Sequence, residues 1–493
     1  MNILLTALVF IPLFGGLLLL PLGSRDRLAR IAAIAVAVIE MLLAGSAWLW
    51  QGNQPAASMP PGFFLYADYP WIEALGIRYT LGMDGISLLL VLLTTIVTII
   101  AMLISWHSID KRVSSHYLLL LAMEAGIIGV FLALDLFLFY LFWELMLIPM
   151  FFLIGIWGHG RNHYSAVKFF LYTLVGSLLM LLAIIGLYLI HGGQSGSYTF
   201  ALSALIGTRF TPAIGLWLYA AFLLAFAIKF PLVPLHTWLP DAHTDAPTAG
   251  SIILAGLLLK TGAYGLIRFG YPLFPAAAST LTPVLIVLAV TGIIYASWIA
   301  FAQKDMKRLI AYSSIGHMGF VALGIAVWTP VALSGAVLQM VNHGLTTTAL
   351  FALVGMLDER THSRQISDFG GLWGKIPLFS AFFVLFAMAS AGLPGLNNFV
   401  GEFLILVGSF KVAKIATILA FIGIILPLVY TVRLLQEVLF QEERTALALT
   451  DLNPRELTVL TALALGGIYI GLHPAPLLTV IKVPVALLTG GAP

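Results

Sequence analysis

The sequence predicts an all-α polytopic membrane protein with about fourteen transmembrane helices. Of the 493 residues, 61% are hydrophobic and only 9% are charged, whereas soluble domains carry about 25% charged residues. The apolar residues recur in windows of about 20, the length that crosses a bilayer as a helix. Cysteine is absent from the sequence, which excludes disulfides, zinc–thiolate sites, iron–sulfur ligation and thiol catalysis in this chain.

The predicted spans follow one another along nearly the whole chain. The first stretch, MNILLTALVFIPLFGG, has no basic segment and no small-residue cleavage site, so we expect a membrane helix rather than a signal peptide. Pro231 and Pro234 predict a break in the seventh span, because proline removes a backbone donor, and GLPGLNN at 392–398 predicts another in the twelfth. The expected spans are 3–22, 29–50, 85–106, 115–134, 136–157, 166–190, 213–238, 248–269, 281–302, 308–328, 331–356, 376–410, 412–434 and 457–478.

The distribution of basic residues predicts the orientation. Sixteen of the 24 lysine and arginine residues, from Arg25 to Arg455, fall on one side of the predicted spans, and six fall on the other. The positive-inside rule places the side with sixteen in the cytoplasm and both chain termini outside. The remaining two, Lys229 and Lys260, lie within spans.

Matched spacings predict an internal inverted repeat. Glu144 and Lys229 are 85 residues apart, and so are His317 and Glu402. Each pair joins an early helix to a broken one, and the two sets of helices run in opposite directions, which is typical of ion transporters with a site at mid-membrane. The predicted divisions are helices 1–3 (1–114), a first half with helices 4–8 (115–270), a second half with helices 9–13 (271–435), and helix 14 with a tail (436–493).

Ionisable side chains inside the predicted spans are the candidate functional residues. A charge at a helix centre costs about 2.5–3.5 kcal/mol on insertion scales, so a chain that keeps one usually has a use for it. The seven that we expect to relay protons are Glu124, Glu144, Lys229, Lys260, His317, His343 and Glu402.

Glu144 and Lys229 are the expected switchable pair. A nearby carboxylate favours a charged lysine and burial disfavours it, so neutralising or withdrawing Glu144 should make Lys229 release its proton. The alternative is a static buried ion pair that fixes helix packing.

Lys260, His317 and His343 are the expected centre of the relay. Histidine titrates near neutral pH and can accept a proton at one ring nitrogen while donating from the other. The alternatives are a lysine that extends to the membrane surface and histidines that are merely hydrogen-bonded in the core. Glu402, just after the second break, is the expected terminal acceptor.

Three further groups are less clearly assigned. Glu124 could exchange roles with Glu144 or contact a neighbouring protein; alternatively, it is a protonated carboxyl bonded to the backbone. Glu40 also falls in mid-span, and we assign it no role. The segment after the first break carries residues whose spacing is not that of a strong metal site, so a capping or gating role is favoured. These residues are His236, Asp241, His243 and Asp245.

Four stretches carry a resemblance to a known family. They are DLFLFYLFWELMLIPMFFLIGIWG, FPLVPLHTWLPDAHTDAPTAGSIILAGLLLKTGAYGLIRF, KDMKRLIAYSSIGHMGF and GLPGLNNFVGEF. With the order of the ionisable residues, they resemble the antiporter-like membrane subunits of respiratory complex I over nearly the whole chain. The resemblance implies fourteen helices with two five-helix inverted repeats. It also implies that Glu144 and Lys229 form the first-half pair and that Lys260 and His317 form the central link. His343 would assist that link, and Glu402 would be the exit residue.

The resemblance also carries functional expectations. Glu402 favours the M branch of the family, because sister subunits usually have lysine there. The implied function is proton translocation driven by quinone reduction elsewhere in the complex, in the inner membrane of a bacterium. No cofactor is expected in this chain; FMN, iron–sulfur clusters and quinone are expected in partner subunits. The expected partners are other membrane-arm subunits and the lipid bilayer, with no nucleic acid. The alternatives are a subunit of a multisubunit Na⁺/H⁺ antiporter, a subunit of a membrane-bound hydrogenase, and a structural membrane scaffold.

Overall fold

The computed structural model describes residues 2–23, 25–51, 59–443 and 449–490. It confirms the all-α membrane fold, because thirteen helices in these ranges are long and apolar enough to cross a membrane. A broken helix, α12, supplies a further expected crossing. Arg444, one of the sixteen basic residues on the predicted cytoplasmic side, lies outside the described residues. The helices are α1 (Asn2–Leu17), α2 (Asp26–Trp48), α3 (Gly85–Ser108), α4 (Val113–Leu132), α5 (Leu136–Trp157), α6 (Asn162–Ser195), α7 (Pro212–Lys229), α8 (Thr248–Leu273), α9 (Pro275–Phe301), α10 (Met306–Ala326), α11 (Pro330–Thr361), α12 (Pro377–Ser390 and Asn397–Phe410), α13 (Lys414–Phe440), α14 (Pro454–Leu472) and the shorter α15 (Ala475–Leu488).

The predicted break in the seventh span follows Lys229. α7 ends at that residue, so the helix is shorter than the expected span 213–238. The chain then turns without helical structure until Trp238, where a short helix runs to Asp245. The indole Nε1 of Trp238 donates to the carbonyl of Ile228 at 2.9 Å, which satisfies one backbone group that the break leaves without a helical partner.

The second predicted break divides α12. The first piece ends at Ser390 and the second begins at Asn397. Between them, Gly392 and Gly395 adopt φ values of 77° and 95°, a region that glycine enters without a steric cost. The sequence GLPGLNN therefore forms a turn inside the membrane region, as its proline and glycines predict, with Leu393 and Pro394 exposed at its centre.

Two elements were not predicted. A β-hairpin, β1 (Phe63–Ile72) and β2 (Ile77–Asp84), lies between α2 and α3. Its strands contain aromatic and β-branched residues, which favour β-structure. The second element is α15, which extends well beyond the expected fourteenth span and packs on α3 and α11.

The hairpin distinguishes the two sides of the helix bundle. We call its side the hairpin side, and we call the opposite side, which carries loops 109–112, 158–161 and 302–305, the basic side. The start of α1 reaches the hairpin through Thr6 Oγ1 and the hydroxyl of Tyr79, which are 3.2 Å apart. Leu488, in α15, accepts a hydrogen bond from Trp328 at the hairpin-side end of α10. Both ends of the described chain therefore lie on the same side, as the even number of crossings predicts.

A buried ion pair fixes α8 to the start of α3. Arg268 donates to the carboxylate of Asp84, and the two side chains are only 5% and 1% exposed. Asp84 also accepts from the backbone N–H of Ser87 at 2.9 Å, so it caps the N-terminus of α3. Arg268 Nε donates further to the hydroxyl of Tyr264 at 3.0 Å.

Replacing Asp84 with alanine is expected to lower the free energy of unfolding by about 3–5 kcal/mol, because it leaves the Arg268 charge buried without a partner. The matched control is Asp68→Ala, which removes an ion pair with Arg78 whose side chains are 29% and 38% exposed. Exposed pairs contribute about 0–1 kcal/mol. Thermal unfolding of the purified protein measures both, and equal effects of the two substitutions would contradict the prediction.

Candidate functional site

Lys260 lies at the centre of the most buried helix. α8 is buried over its whole apolar window, and Lys260 sits on a regular segment, Leu259–Gly265, between two π-helical turns. Such turns are rare and frequently occur at functional sites. Its Nζ donates to the carbonyl of Ala255 and lies 2.7 Å from Nδ1 of His343. The lysine therefore does not extend to the membrane surface, contrary to the alternative for its role.

His343 follows Lys260 in the chain of contacts. It lies on α11, is fully buried, and faces Lys260 with Nδ1. A charged lysine only donates, so Nδ1 accepts when Lys260 holds its proton, and Nε2 then carries the ring hydrogen. The ring of His343 has its centroid 5.8 Å from that of His317, a separation that a water molecule can bridge. His343 thus lies between Lys260 and His317, whereas the resemblance implied only an assisting role.

His317 connects this centre to Glu402. Its Nδ1 lies 2.7 Å from Oε1 of Glu402, and its Nε2 lies 3.2 Å from the hydroxyl of Ser390, at the end of the first piece of α12. Gln339 Nε2 also donates to Oε1 of Glu402, at 3.1 Å. Ser390 and Gln339 were not predicted, although Gln339 lies one helical turn before His343 on α11.

Glu402 is held where the second break meets α11. The nearest atom to a Cβ placed on Gly392 would be Oε2 of Glu402, at 3.4 Å, so this oxygen faces the break while Oε1 faces His317. A Cβ on Gly401 would lie 2.9 Å from the Cα of Gln339. The two helices are therefore in backbone contact beside the carboxylate, which a larger residue would prevent.

The contacts form one line across four helices. It runs from α8 through α11 and α10 to the second piece of α12, and every member can give or take a proton. All four side chains are buried from bulk water. The members are Lys260, His343, His317 and Glu402.

Lys229 lies apart from this line. It is 1% exposed, and its Nζ has no hydrogen-bond partner among the described residues. The ammonium lies 5.0 Å from the ring centroid of Trp143 and 6.0 Å from that of Phe169, so aromatic faces replace water around it. Glu144, which is half-buried, is near enough for its charge to act on Lys229 without a direct hydrogen bond. The switchable pair thus remains a prediction.

The helix of Glu124 packs against the helices of both Glu40 and Glu144. Glu124 is on α4 and Glu40 on α2, and both are fully buried. The charge that acts on Glu124 is that of Glu40. A relay role for Glu124 therefore remains a prediction, and Glu40 has a neighbour that the sequence did not reveal.

The short helix after the first break is tied to both halves of the chain. Asp241 accepts from Lys168 on α6 at 2.7 Å and from Arg308 on α10 at 3.3 Å. Lys307 donates to the carbonyl of Ala246 at 3.0 Å. No group of three or more histidine and acidic residues that could hold a metal occurs in the part of the chain that the structure describes. The capping or gating role that the sequence favours for this segment stays a prediction.

His243, on the same short helix, is expected to make the protein less stable in acid. Burial, with the charges of Lys307 and Lys260, lowers its pKa from 6.5 to about 3. Between pH 6.5 and about pH 3, His243 binds a proton in the unfolded chain but not in the folded chain. The free energy of unfolding is therefore unaffected by His243 above about pH 6.5 and decreases as the pH falls toward 3. The loss reaches roughly 5 kcal/mol at most.

The variant His243→Phe tests this pH dependence. Phenylalanine can keep the stacking of the ring on Phe351, whose centroid is 4.8 Å away, but it does not titrate. Thermal unfolding between neutral pH and about pH 4 should therefore show a weaker acid dependence in the variant than in the original protein. Identical dependence in the two proteins would show that His243 takes up its proton freely.

A polar cavity opens on the basic side. Its volume is about 960 Å³. Its walls combine loops of both halves with Pro247 and Thr248 at the start of α8, and they carry both acidic and basic groups. The titratable and charged wall residues include His159, His163, Asp305, Asp358, Glu359 and Arg364.

A bundle of membrane helices with two breaks and a buried line of lysine, histidine and glutamate defines an antiporter-like membrane subunit. The chain belongs to the NADH:quinone oxidoreductase/Mrp antiporter transmembrane family, whose profile matches residues 133–426. It is 44% identical to NADH-quinone oxidoreductase subunit M of Pseudomonas aeruginosa over 484 residues, which cover 96% of this chain and 95% of that protein. These matches confirm the predicted family and the resemblance to its M branch.

Solved structures share the fold. A chain of respiratory complex I from Thermus thermophilus with bound NADH is similar with a TM-score of 0.87 and 31% identity, over 99% of this chain and 100% of that one. A chain of the Mrp complex from Dietzia sp. is similar with a TM-score of 0.84 and 24% identity, over 98% of this chain but only 52% of that one. The second likeness concerns the fold alone.

Proposed function

We propose that this chain is a proton-translocating membrane-arm subunit of NADH–quinone oxidoreductase. The observation that carries the proposal is the buried line of contacts from Lys260 to Glu402, in a family whose relatives are named as subunits of that enzyme. Ionisable groups are expensive inside a membrane, and a chain of them in contact is typical of a proton pathway. The chain contributes to the enzyme as a subunit of the translocase.

The proposed route begins on the basic side. The positive-inside rule makes this the cytoplasmic side of the bacterial inner membrane, so both chain termini lie outside. Protons would be taken up through the polar cavity and received by Lys229 beside the first break. They would pass to Lys260, through the two histidines to Glu402, and leave on the hairpin side from the oxygen that faces the second break.

The proposed switch is the electrostatic interaction between Glu144 and Lys229. The aromatic faces around Lys229 hold its ammonium without a bonded anion, so the carboxylate of Glu144 is the charge that favours its protonated form. When Glu144 is neutralised or moves away, Lys229 should give its proton to the rest of the line. The static ion pair remains the alternative, and it predicts that any cation at position 229 suffices.

The energy for translocation comes from outside this chain in our proposal. Partner subunits would carry FMN, iron–sulfur clusters and quinone, and neighbouring membrane-arm subunits would transmit the change to Glu144. The predicted inverted repeat would give a two-part channel, with residues 115–270 as its first half and 271–435 as its second. Helices 1–3 and the segment from 436 onward would flank these halves.

Proton translocation in sodium-free vesicles tests the proposal against the Na⁺/H⁺ antiporter alternative. Membrane vesicles that contain the assembled complex should build a pH gradient when NADH is oxidised, with or without sodium. An uncoupler serves as the control, because it should abolish the gradient and leave NADH oxidation running. A gradient that requires sodium and ignores NADH would instead identify an antiporter.

A further inference from the structure

Glu40 is buried on the one face of α2 that packs against the protein. Most of α2 is exposed, with 28% of its apolar window buried. Its buried face is a stripe of alanines with Glu40 among them, namely Ala29, Ala33, Ala37, Glu40, Ala44 and Ala47. Small residues let helices approach closely, so Glu40 is pressed into the contact with α1, α3 and α4. Neither of its carboxylate oxygens has a hydrogen-bond partner within the described ranges.

Glu124 lies opposite on α4 in the same condition. It is 0% exposed, and both of its carboxylate oxygens also lack a hydrogen-bond partner among residues that the structure describes. The charge of Glu40 acts on it. Two glutamates, each the only acidic residue in the middle of its helix, are therefore buried on two helices that pack against each other.

Among the residues that the structure describes, no cation forms an ion pair with either carboxyl group. α1 carries no titratable side chain, and the charge that acts on Glu124 comes from Glu40 rather than from a basic residue. The titratable or charged residues on α2, α4 and the elements packed against them are Asp26, Arg27, Arg30, Arg78, Tyr79, Asp84, His107, His116, Tyr117, Tyr140, Glu144, Lys260, Tyr264 and Arg268.

The physical chemistry of this pair requires a proton. An ionised carboxylate without a partner in a protein interior costs several kcal/mol, and two adjacent carboxylates cannot both ionise readily. One proton on either oxygen removes a negative charge and supplies an O–H donor, which the other carboxyl group can accept. Proton uptake from water thus forms one O–H bond and one hydrogen bond where the described structure has none.

We propose that Glu40 and Glu124 together form a proton-binding site in the N-terminal helices, which holds at least one proton at neutral pH. The site lies on α2 and α4 rather than on the helices that carry His317, His343 and Glu402, and α4 packs against the segment of α8 that carries Lys260. It gives the otherwise unassigned Glu40 a role, and it makes Glu124 the partner of Glu40 rather than of Glu144.

Infrared spectroscopy of the assembled complex in lipid tests the proposal. The C=O stretch of a protonated carboxyl group lies apart from the amide and carboxylate bands and shifts in D₂O. The wild-type spectrum at neutral pH should contain such a band that is lost when Glu40→Gln and Glu124→Gln are combined. Each single substitution should shift the band of the remaining carboxyl group, because a proton shared between the two groups would be lost.

Two further variants make the result decisive. Glu73→Gln changes an exposed glutamate on the hairpin turn, so it should leave the protonated-carboxyl region unchanged. Glu40→Asp keeps the carboxyl group but alters its reach, so it should shift the band even if a glutamine variant fails to assemble. The proposal would be overturned if the double variant keeps the wild-type spectrum. It would also be overturned if the band of each carboxyl group is unaffected by substitution of the other glutamate.

Discussion

Lys229→Ala is expected to lower proton translocation per electron by at least about tenfold while the complex still assembles. Lys229 is the basic residue at the first break, and within the described structure its ammonium is surrounded by the rings of Trp143 and Phe169. Alanine cannot hold a proton there, so the line that begins at Lys260 loses its donor. The measurement is the ratio of protons moved to NADH oxidised in membrane vesicles.

The arginine variant separates a proton donor from a static ion pair. Lys229→Arg keeps a positive charge for Glu144, but arginine does not release its proton in proteins. A donor role therefore predicts that arginine fails as alanine does, whereas a packing role predicts that arginine works. Lys414→Ala, an exposed lysine on the hairpin side, is the matched control and should translocate normally. Normal translocation by Lys229→Ala would remove Lys229 from the mechanism.

Glu402→Gln is expected to have a comparable effect at the other end of the line, a loss of translocation of at least about tenfold. Glutamine has nearly the same shape and can still accept from His317 and Gln339, whose donor atoms lie 2.7 and 3.1 Å from Oε1. It has no carboxyl group to take up the proton, however, so transfer should stop at His317. Packing around the second break should be preserved.

The aspartate variant is the control for Glu402. Glu402→Asp keeps a titratable carboxyl group on a shorter side chain, so we expect it to retain part of the translocation that glutamine abolishes. Assembly is checked by the content of partner subunits in the purified complex. If the Glu402→Gln complex translocates protons as well as the Glu402→Asp complex does, the carboxyl group of Glu402 is not a required proton carrier.

The sequence predicted those features of the fold that depend on the composition of a short stretch of chain. The apolar windows, the proline break after Lys229 and the glycine break before Glu402 follow from rules that act over a few residues, and the structure confirms them. The matched spacing of 85 residues predicted an inverted repeat, whereas the hydrogen bond between His317 and Glu402 is seen only in the structure. The hairpin was missed because its strands lie between long apolar windows that dominate a search for membrane helices.

The sequence could not predict contacts that depend on how four helices pack together. His343 lies between Lys260 and His317 because α11 passes between α8 and α10, which no spacing along the chain reveals. Gln339 and Ser390 are neutral, so a search for charges in membrane spans overlooks them. Glu144 and Lys229 were predicted as a switchable pair, and in the structure the two groups do not hydrogen-bond directly.

Backbone contact between α11 and α12 at Gly401 leaves the two helices almost no freedom to slide. The hydrogen bond between His317 and Glu402 therefore belongs to a stiff joint. Lys229 ends its helix at a non-helical turn and rests on aromatic faces, which tolerate small displacements. The contact between α11 and α12 at Gly401 is therefore the rigid part of the proposed proton path, and Lys229 with the turn that follows it is the part that can move. We expect a neighbouring subunit that regulates the path to act on Lys229 and this turn.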